Sequence, residues 1–115
     1  MKYLFDTNAV IYFLSDNWQL NDFQEEDEFI VSFVNKIELL AGNITKEEKA
    51  LIDNFLESVE VINVDEHIIE KTIEYRKIQK LKVPDAIIIA TAEVNGAKLI
   101  TADNEILKKV KNNWI

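Results

Sequence analysis

The chain has 115 residues, a formal charge of −8, 48% apolar residues, two Gly, one Pro and no Cys. A chain of this size builds one core by default, and so little Gly and Pro leaves little material for linkers, so a single α/β domain over residues 1–115 is expected. Missing cysteines exclude disulfides and thiolate metal sites, and a single histidine makes any metal site rest on oxygen ligands, the preference of Mg²⁺ or Mn²⁺ rather than zinc.

In chain order, the apolar run Tyr3-Leu4-Phe5 predicts a short opening strand that ends on Asp6. An N-terminal helix carrying Val10, Ile11, Phe13 and Leu14 follows, with more apolar surface than a small domain is expected to bury. No basic leader with a long apolar segment precedes it, and no window approaches the ~18–20 apolar residues that cross a bilayer. A cytoplasmic protein without membrane contact is the expectation. The acidic run Glu25, Glu26, Asp27, Glu28 reads as a solvated loop. A strand over 29–32 and a helix over 33–41 come next, and within the helix Glu38 stands among apolar Ile37, Leu39 and Leu40, a setting that calls for a partner.

Thr45 with Glu48 three residues on is a capping-box pattern, and Leu51, Ile52, Phe55 and Leu56 recur at helical spacing, so a helix over 45–58 is predicted. A strand over 59–64 leads to Asp65, a suitable cap for a helix with Ile68, Ile69, Thr72, Ile73 and Ile78 as its apolar stripe and Glu70, Glu74 and Lys77 as its wet face. His67 reads as a surface residue. Val83-Pro84-Asp85 opens another helix, because Pro suits the first helical position and an acid in the first turn complements the helix dipole. Residues 86–92 are apolar all round and belong in the core, and Asn95-Gly96 ends the helix. A strand over 98–101, Asp103 as the cap of a helix through Ile106, Leu107 and Val110, and a last short strand at Trp114-Ile115 complete the reading. Trp18 and Trp114 are read as packing anchors. Strands alternating with helices predict a central, mainly parallel sheet flanked by helices in three layers.

Asp6 and Asp103 each follow a buried strand, and open parallel sheets bind ligands beyond the carboxyl ends of their strands, where the strand order reverses. Asp85 and Glu38 supply two further acids. Taken singly, each has a structural explanation: Asp6 and Asp103 as helix caps, Asp85 as a first-turn acid, Glu38 as a side chain that reaches solvent. As an ordered set they suit a hard divalent cation, which activates water for phosphodiester hydrolysis with no histidine base or covalent nucleophile.

Four segments of the sequence resemble the four motifs of the PIN-domain ribonucleases: Phe5-Asp6-Thr7-Asn8, then Asn35-Lys36-Ile37-Glu38-Leu39-Leu40-Ala41-Gly42, then residues 83–92 (VPDAIIIATA), and Leu99-Ile100-Thr101-Ala102-Asp103-Asn104. The resemblance spans nearly the whole chain and is nearest to the toxin halves of VapBC toxin–antitoxin pairs. It implies a PIN-like three-layer fold and a metal-dependent endoribonuclease. Asp6, Glu38, Asp85 and Asp103 would form the acidic quartet holding Mg²⁺ or Mn²⁺, and Thr7, Asn8 and Thr101 its polar supports. It also implies an RNA substrate, a VapB-like antitoxin and a homodimer. A charge of −8 does not fit phosphate binding at first sight, but five of the 13 basic residues fall together at Lys71, Arg76, Lys77, Lys80 and Lys82. Of these, Arg76, Lys77, Lys80 and Lys82 are the candidate RNA contacts, against the plainer reading of a solvated helix side. Other readings are a catalytically silent PIN-like scaffold that binds RNA or protein, and a Mg²⁺-binding phosphoacceptor domain. The last needs adjacent acids after the first strand, where this chain has Asp6 followed by Thr7. A phosphatase with an aspartate nucleophile would want an acid where Asn8 stands.

Overall fold

The computed structural model describes residues 1–15 and 24–101 of the chain. Its elements run β1 (Lys2–Phe5), α1 (Thr7–Leu14), β2 (Glu28–Ser32), α2 (Phe33–Ala41), α3 (Lys46–Ser58), β3 (Glu60–Ile62), α4 (Glu66–Gln79), α5 (Val83–Val94) and β4 (Lys98–Ile100). The helix through Ile106 and the strand at Trp114-Ile115 lie outside the described residues, as do Asp103, Trp18 and Trp114.

The four strands form one sheet in the order β3-β2-β1-β4, and every pairing is parallel. The strands read as unbroken apolar runs because both faces of such a sheet are covered. Leu4 pairs in register with Ile30 and with Leu99, and these three side chains join Ala86, Ile88, Ile89 and Ala92 of α5 in one core. One residue further along, Phe5 pairs with Ile100, and both join Val31, Ala9, Val10, Leu39, Ile52 and Phe55 in a second core. The period-2 alternation of strand side chains thus divides the apolar residues between two faces, and three layers result.

The capping signals act where the residue types suggest. Thr45 and Glu48 form a reciprocal capping box at α3, with Glu48 N–H donating to Thr45 Oγ1 over 3.1 Å and Thr45 N–H to Glu48 Oε1 over 2.9 Å. These bonds hold the Glu48 carboxyl below the usual range. Asp65 Oδ1 takes the N–H of Ile68 over 2.9 Å at the start of α4. Pro84 lies in the first turn of α5, which ends at Asn95 with Gly96 at φ 64°. His67 is exposed.

Three expectations are corrected. Of the stripe assigned to α4, Ile68 is buried but Ile69, Ile73 and Ile78 are 41%, 49% and 73% exposed. The inward row is instead Ile68, Thr72, Tyr75 and Gln79, spaced by three or four residues, and Ile69 and Ile73 stand about 100° round the helix from it. Val10, offered above as apolar surface, is fully buried in the second core, whereas Ile11 is 52% exposed. The acidic run is not loop throughout. Glu28 opens β2, where its N–H donates to the Met1 carbonyl over 2.9 Å, and Asp27 lies 3.4 Å from the N-terminal ammonium.

Candidate metal centre at the carboxyl edge of the sheet

β2 and β3 lie on one side of β1, and β4 joins it on the other, so the strand order reverses between β1 and β4. The first residue after β1 is Asp6 and the first after β4 is Thr101, which places both at the carboxyl edge, the edge at which open parallel sheets bind ligands. Asp6 N–H donates to the Ile100 carbonyl over 3.0 Å and prolongs the ladder to that edge.

Asp6 is 4% exposed. Its Oδ1 accepts the Ala9 N–H over 2.8 Å as the N-cap of α1, and its Oδ2 accepts the Thr101 hydroxyl. A buried carboxylate requires such partners. The structural reading of Asp6 as a helix cap is therefore correct, and the same bonds fix the carboxylate at the carboxyl edge. Thr101, which the sequence resemblance names as a polar support of the site, is hydrogen-bonded to this carboxylate.

β2 turns into α2 without a loop. Ser32 caps the helix, its Oγ accepting the Val34 N–H over 3.1 Å, while its own N–H donates to Asn35 Oδ1 over 2.9 Å. Asn35 is completely buried. Its Nδ2 donates across to Thr7 Oγ1 over 3.2 Å, and the Thr7 hydroxyl donates to Glu38 Oε1 over 2.6 Å. Glu38 sits one helical turn after Asn35, so both reach the same threonine from one side of α2. Glu38 is exposed, and the partner that its apolar neighbours called for is a hydroxyl on α1. Asn35 and Ser32 were not among the predicted site residues. The spacing Ser32-x-x-Asn35, a short form of the capping box, is the signal that points to them.

Asp85 is half-buried in the first turn of α5. That helix passes through residues 95–97 into β4, so it runs back along the sheet and its N-terminal turn faces the carboxyl edge. Asn8 is exposed. Among the described residues no three acidic or histidine side chains stand together closely enough to hold a metal ion, so Asp6, Glu38 and Asp85 alone do not make the quartet. Its fourth member, Asp103, is outside the described residues. What the described edge provides is an all-oxygen donor set, with one carboxylate buried and fixed and another steered by a hydroxyl. That chemistry fits a hard divalent cation and excludes a soft one.

The candidate RNA contacts divide. Lys77, Lys80 and Lys82 are exposed, and Lys82 immediately precedes α5 as its N-cap, close in sequence to Asp85. Arg76 is also exposed, yet its Nη1 donates to the Leu81 carbonyl over 2.5 Å and so ties α4 to the turn, where Lys80 is left-handed at φ 53°. Lys71 is engaged on the far part of α4, 3.1 Å from Glu74 and 3.8 Å from Glu93, and these carboxylates push its ammonium pKa up. A cavity of about 180 Å³ there is bordered by Lys71, Glu74, Tyr75 and Glu93, and is lined by none of Asp6, Glu38 and Asp85. Burial, with Glu93 beside it, pushes the Tyr75 phenol up to about 12.

A parallel sheet in this order, with an acid at the end of β1 and a glutamate on the helix after β2, is the architecture of a PIN domain, and the PIN-domain family model matches residues 3–113. The chain belongs to the PIN-domain family. It is similar to solved toxin–antitoxin structures. A toxin–antitoxin complex from Klebsiella pneumoniae matches with 26% identity and a TM-score of 0.80, over 98% of this chain and 95% of that one. VapBC2 from Rickettsia felis, bound to a DNA fragment from its promoter, matches at 21% identity and a TM-score of 0.80, over 100% and 96% of the two chains. VapBC-1 from nontypeable Haemophilus influenzae matches at 22% identity and a TM-score of 0.78, over 100% and 97%. A search of curated proteins finds no match. No helix among the described residues is long and apolar enough to cross a membrane.

Proposed function

We propose that this chain is a Mg²⁺- or Mn²⁺-dependent endoribonuclease of the cytoplasm and the toxin of a type II toxin–antitoxin pair. The observation that carries this reading is the pair of fixed carboxylates at the sheet edge: Asp6, buried and held through both oxygens, and Glu38, steered by Thr7. A PIN-domain chain whose sequence carries the four motif acids is the setting in which such a pair would serve RNA hydrolysis. Asp6, Glu38, Asp85 and Asp103 would hold the cation. When bound, a hard divalent ion supplies Lewis acidity, polarising a phosphoryl oxygen and lowering the pKa of a water at neutral pH.

The chain's own residues then have distinct parts. Thr101 and the Ala9 N–H keep the Asp6 carboxylate in one rotamer, and Thr7 does the same for Glu38, so little reorganisation is needed when a phosphodiester arrives. Lys77, Lys80 and Lys82 offer charge to the phosphates, with Arg76 securing the turn that presents them. So few cations neutralise only a few phosphates, and modest affinity for RNA follows. By likeness to the VapBC complexes, the partner is a VapB-like antitoxin; the homodimer is proposed on the family resemblance of the sequence alone.

The test is cleavage of single-stranded RNA by the purified chain with Mn²⁺, with Mg²⁺ and with excess chelator. Cleavage with either ion and none with chelator is expected. Glu38→Gln, which keeps the shape and removes the charge, is expected to lower the rate by roughly 100-fold or more, since even outer partners of metal ligands account for about 10–100-fold. RNA bound but never cut would instead favour the silent scaffold.

A further inference from the structure

Asn35 does more than cap a helix. A side-chain amide has an accepting end and a donating end, and which end faces which neighbour is settled by the hydrogen-bond network. Here it is settled by a backbone group: the Ser32 N–H, 2.9 Å away, can only donate, so the oxygen of Asn35 must face it. The Asn35 NH₂ is then the end that meets Thr7 Oγ1 at 3.2 Å, and the threonine must accept. Its one proton is left for Glu38 Oε1 at 2.6 Å.

We infer that Asn35 is a positioning residue. It fixes the direction of the hydrogen-bond chain from Ser32 through Asn35 and Thr7 to Glu38, and so commits the Glu38 carboxylate to accept at Oε1 while Oε2 stays outside the chain for a divalent cation. The burial of Asn35 supports this. At 0% exposure it has no water to offer Thr7 a different arrangement, whereas the Thr7–Glu38 bond is exposed and would otherwise exchange with solvent. The chain also joins three elements, the end of β2, α2 and the first turn of α1, so a backbone group of the sheet sets the rotamer of an exposed acid. This inference rests on the metal-centre reading proposed above.

The experiment is calorimetric titration of the purified chain with Mn²⁺, with circular dichroism to verify folding, on the parent, Thr7→Val, Thr7→Ser and Asn35→Asp. Thr7→Val removes the hydroxyl at nearly constant shape. Asn35→Asp keeps the oxygen for Ser32 but replaces the donor facing Thr7 with an acceptor, which turns the threonine proton away from Glu38. Both are expected to weaken Mn²⁺ binding about 10–100-fold, the usual range for outer partners of metal ligands, and Thr7→Ser to recover to within ~3-fold of the parent. The sign for Asn35→Asp is diagnostic, because an added negative charge would by itself tighten cation binding. Unchanged or tighter binding in a folded Asn35→Asp, or a loss in Thr7→Val that Thr7→Ser does not recover, overturns the inference. If Asn35→Asp does not fold, the two Thr7 variants decide. Cleavage of RNA by the parent together with unaltered Mn²⁺ affinity in the variants would sink the relay and spare the nuclease reading. Weakened Mn²⁺ binding in variants of a parent that cuts no RNA would do the reverse. A parent that binds no Mn²⁺ overturns both.

Discussion

Asp6→Asn is expected to abolish RNA cleavage while leaving the chain folded. Asn is as good an N-cap as Asp, so the bond from the Ala9 N–H survives, and the replacement fits the same buried volume. What is lost is a negative charge at the point where the strand order reverses, and with it one of the four carboxylates proposed to hold a divalent cation. Asp6→Ala is the control: it loses the same charge, but it also removes both the cap and the acceptor of the Thr101 hydroxyl, at a cost of about 1–2 kcal/mol in stability. Denaturant titrations paired with cleavage rates separate the two. A parent-like Asp6→Asn rate would reduce Asp6 to its structural part, and unfolding by Asp6→Asn would show that the charge itself is needed by the fold.

Phe5→Ala should have the largest effect on stability. Phe5 is 2% exposed and its ring stacks on Phe29 at 5.4 Å and Phe13 at 5.8 Å, with Phe55 tilted against it at 6.1 Å. Truncating a buried phenylalanine costs about 3–5 kcal/mol, a large part of the ~5–15 kcal/mol that holds a domain together. A fall in melting temperature on the order of 10–20 °C is expected. Because Phe5 is the residue before Asp6 and packs α1 and α3 onto the sheet, cleavage should fall with stability and return in part at low temperature. Phe5→Leu, which keeps most of the volume, should lie between. A melting temperature unchanged by Phe5→Ala would contradict the second core as described.

These two variants also mark which features of the sequence could be read directly. The strands were legible because a parallel sheet covered on both faces writes itself as short unbroken apolar runs, and Asp6 stood out as a charge at the end of one. The start of α5 was legible from Val83-Pro84-Asp85, and that of α3 from Thr45 and Glu48, because caps are local chemistry. The inward face of α4 was not. Isoleucines at 68, 69, 73 and 78 occur around much of that helix, and only packing against α5 selects Ile68 and Tyr75 over Ile69 and Ile73. Asn35 was hidden for a related reason: a polar residue in a helix reads as surface until another element is placed over it, and Thr7 lies 28 residues away. The acidic quartet was named from four separated motifs, and its fourth member, Asp103, lies outside the described residues.

The most direct test of the central claim is therefore a crystal soaked with Mn²⁺ and measured for anomalous scattering. The expected result is a strong peak at the carboxyl edge, bordered by Asp6, Glu38, Asp85 and Asp103, with oxygen ligands near 2.0–2.6 Å, as for hard divalent ions. No peak at that edge, or a peak reached by none of these carboxylates, would contradict the assignment of the four acids as the metal centre.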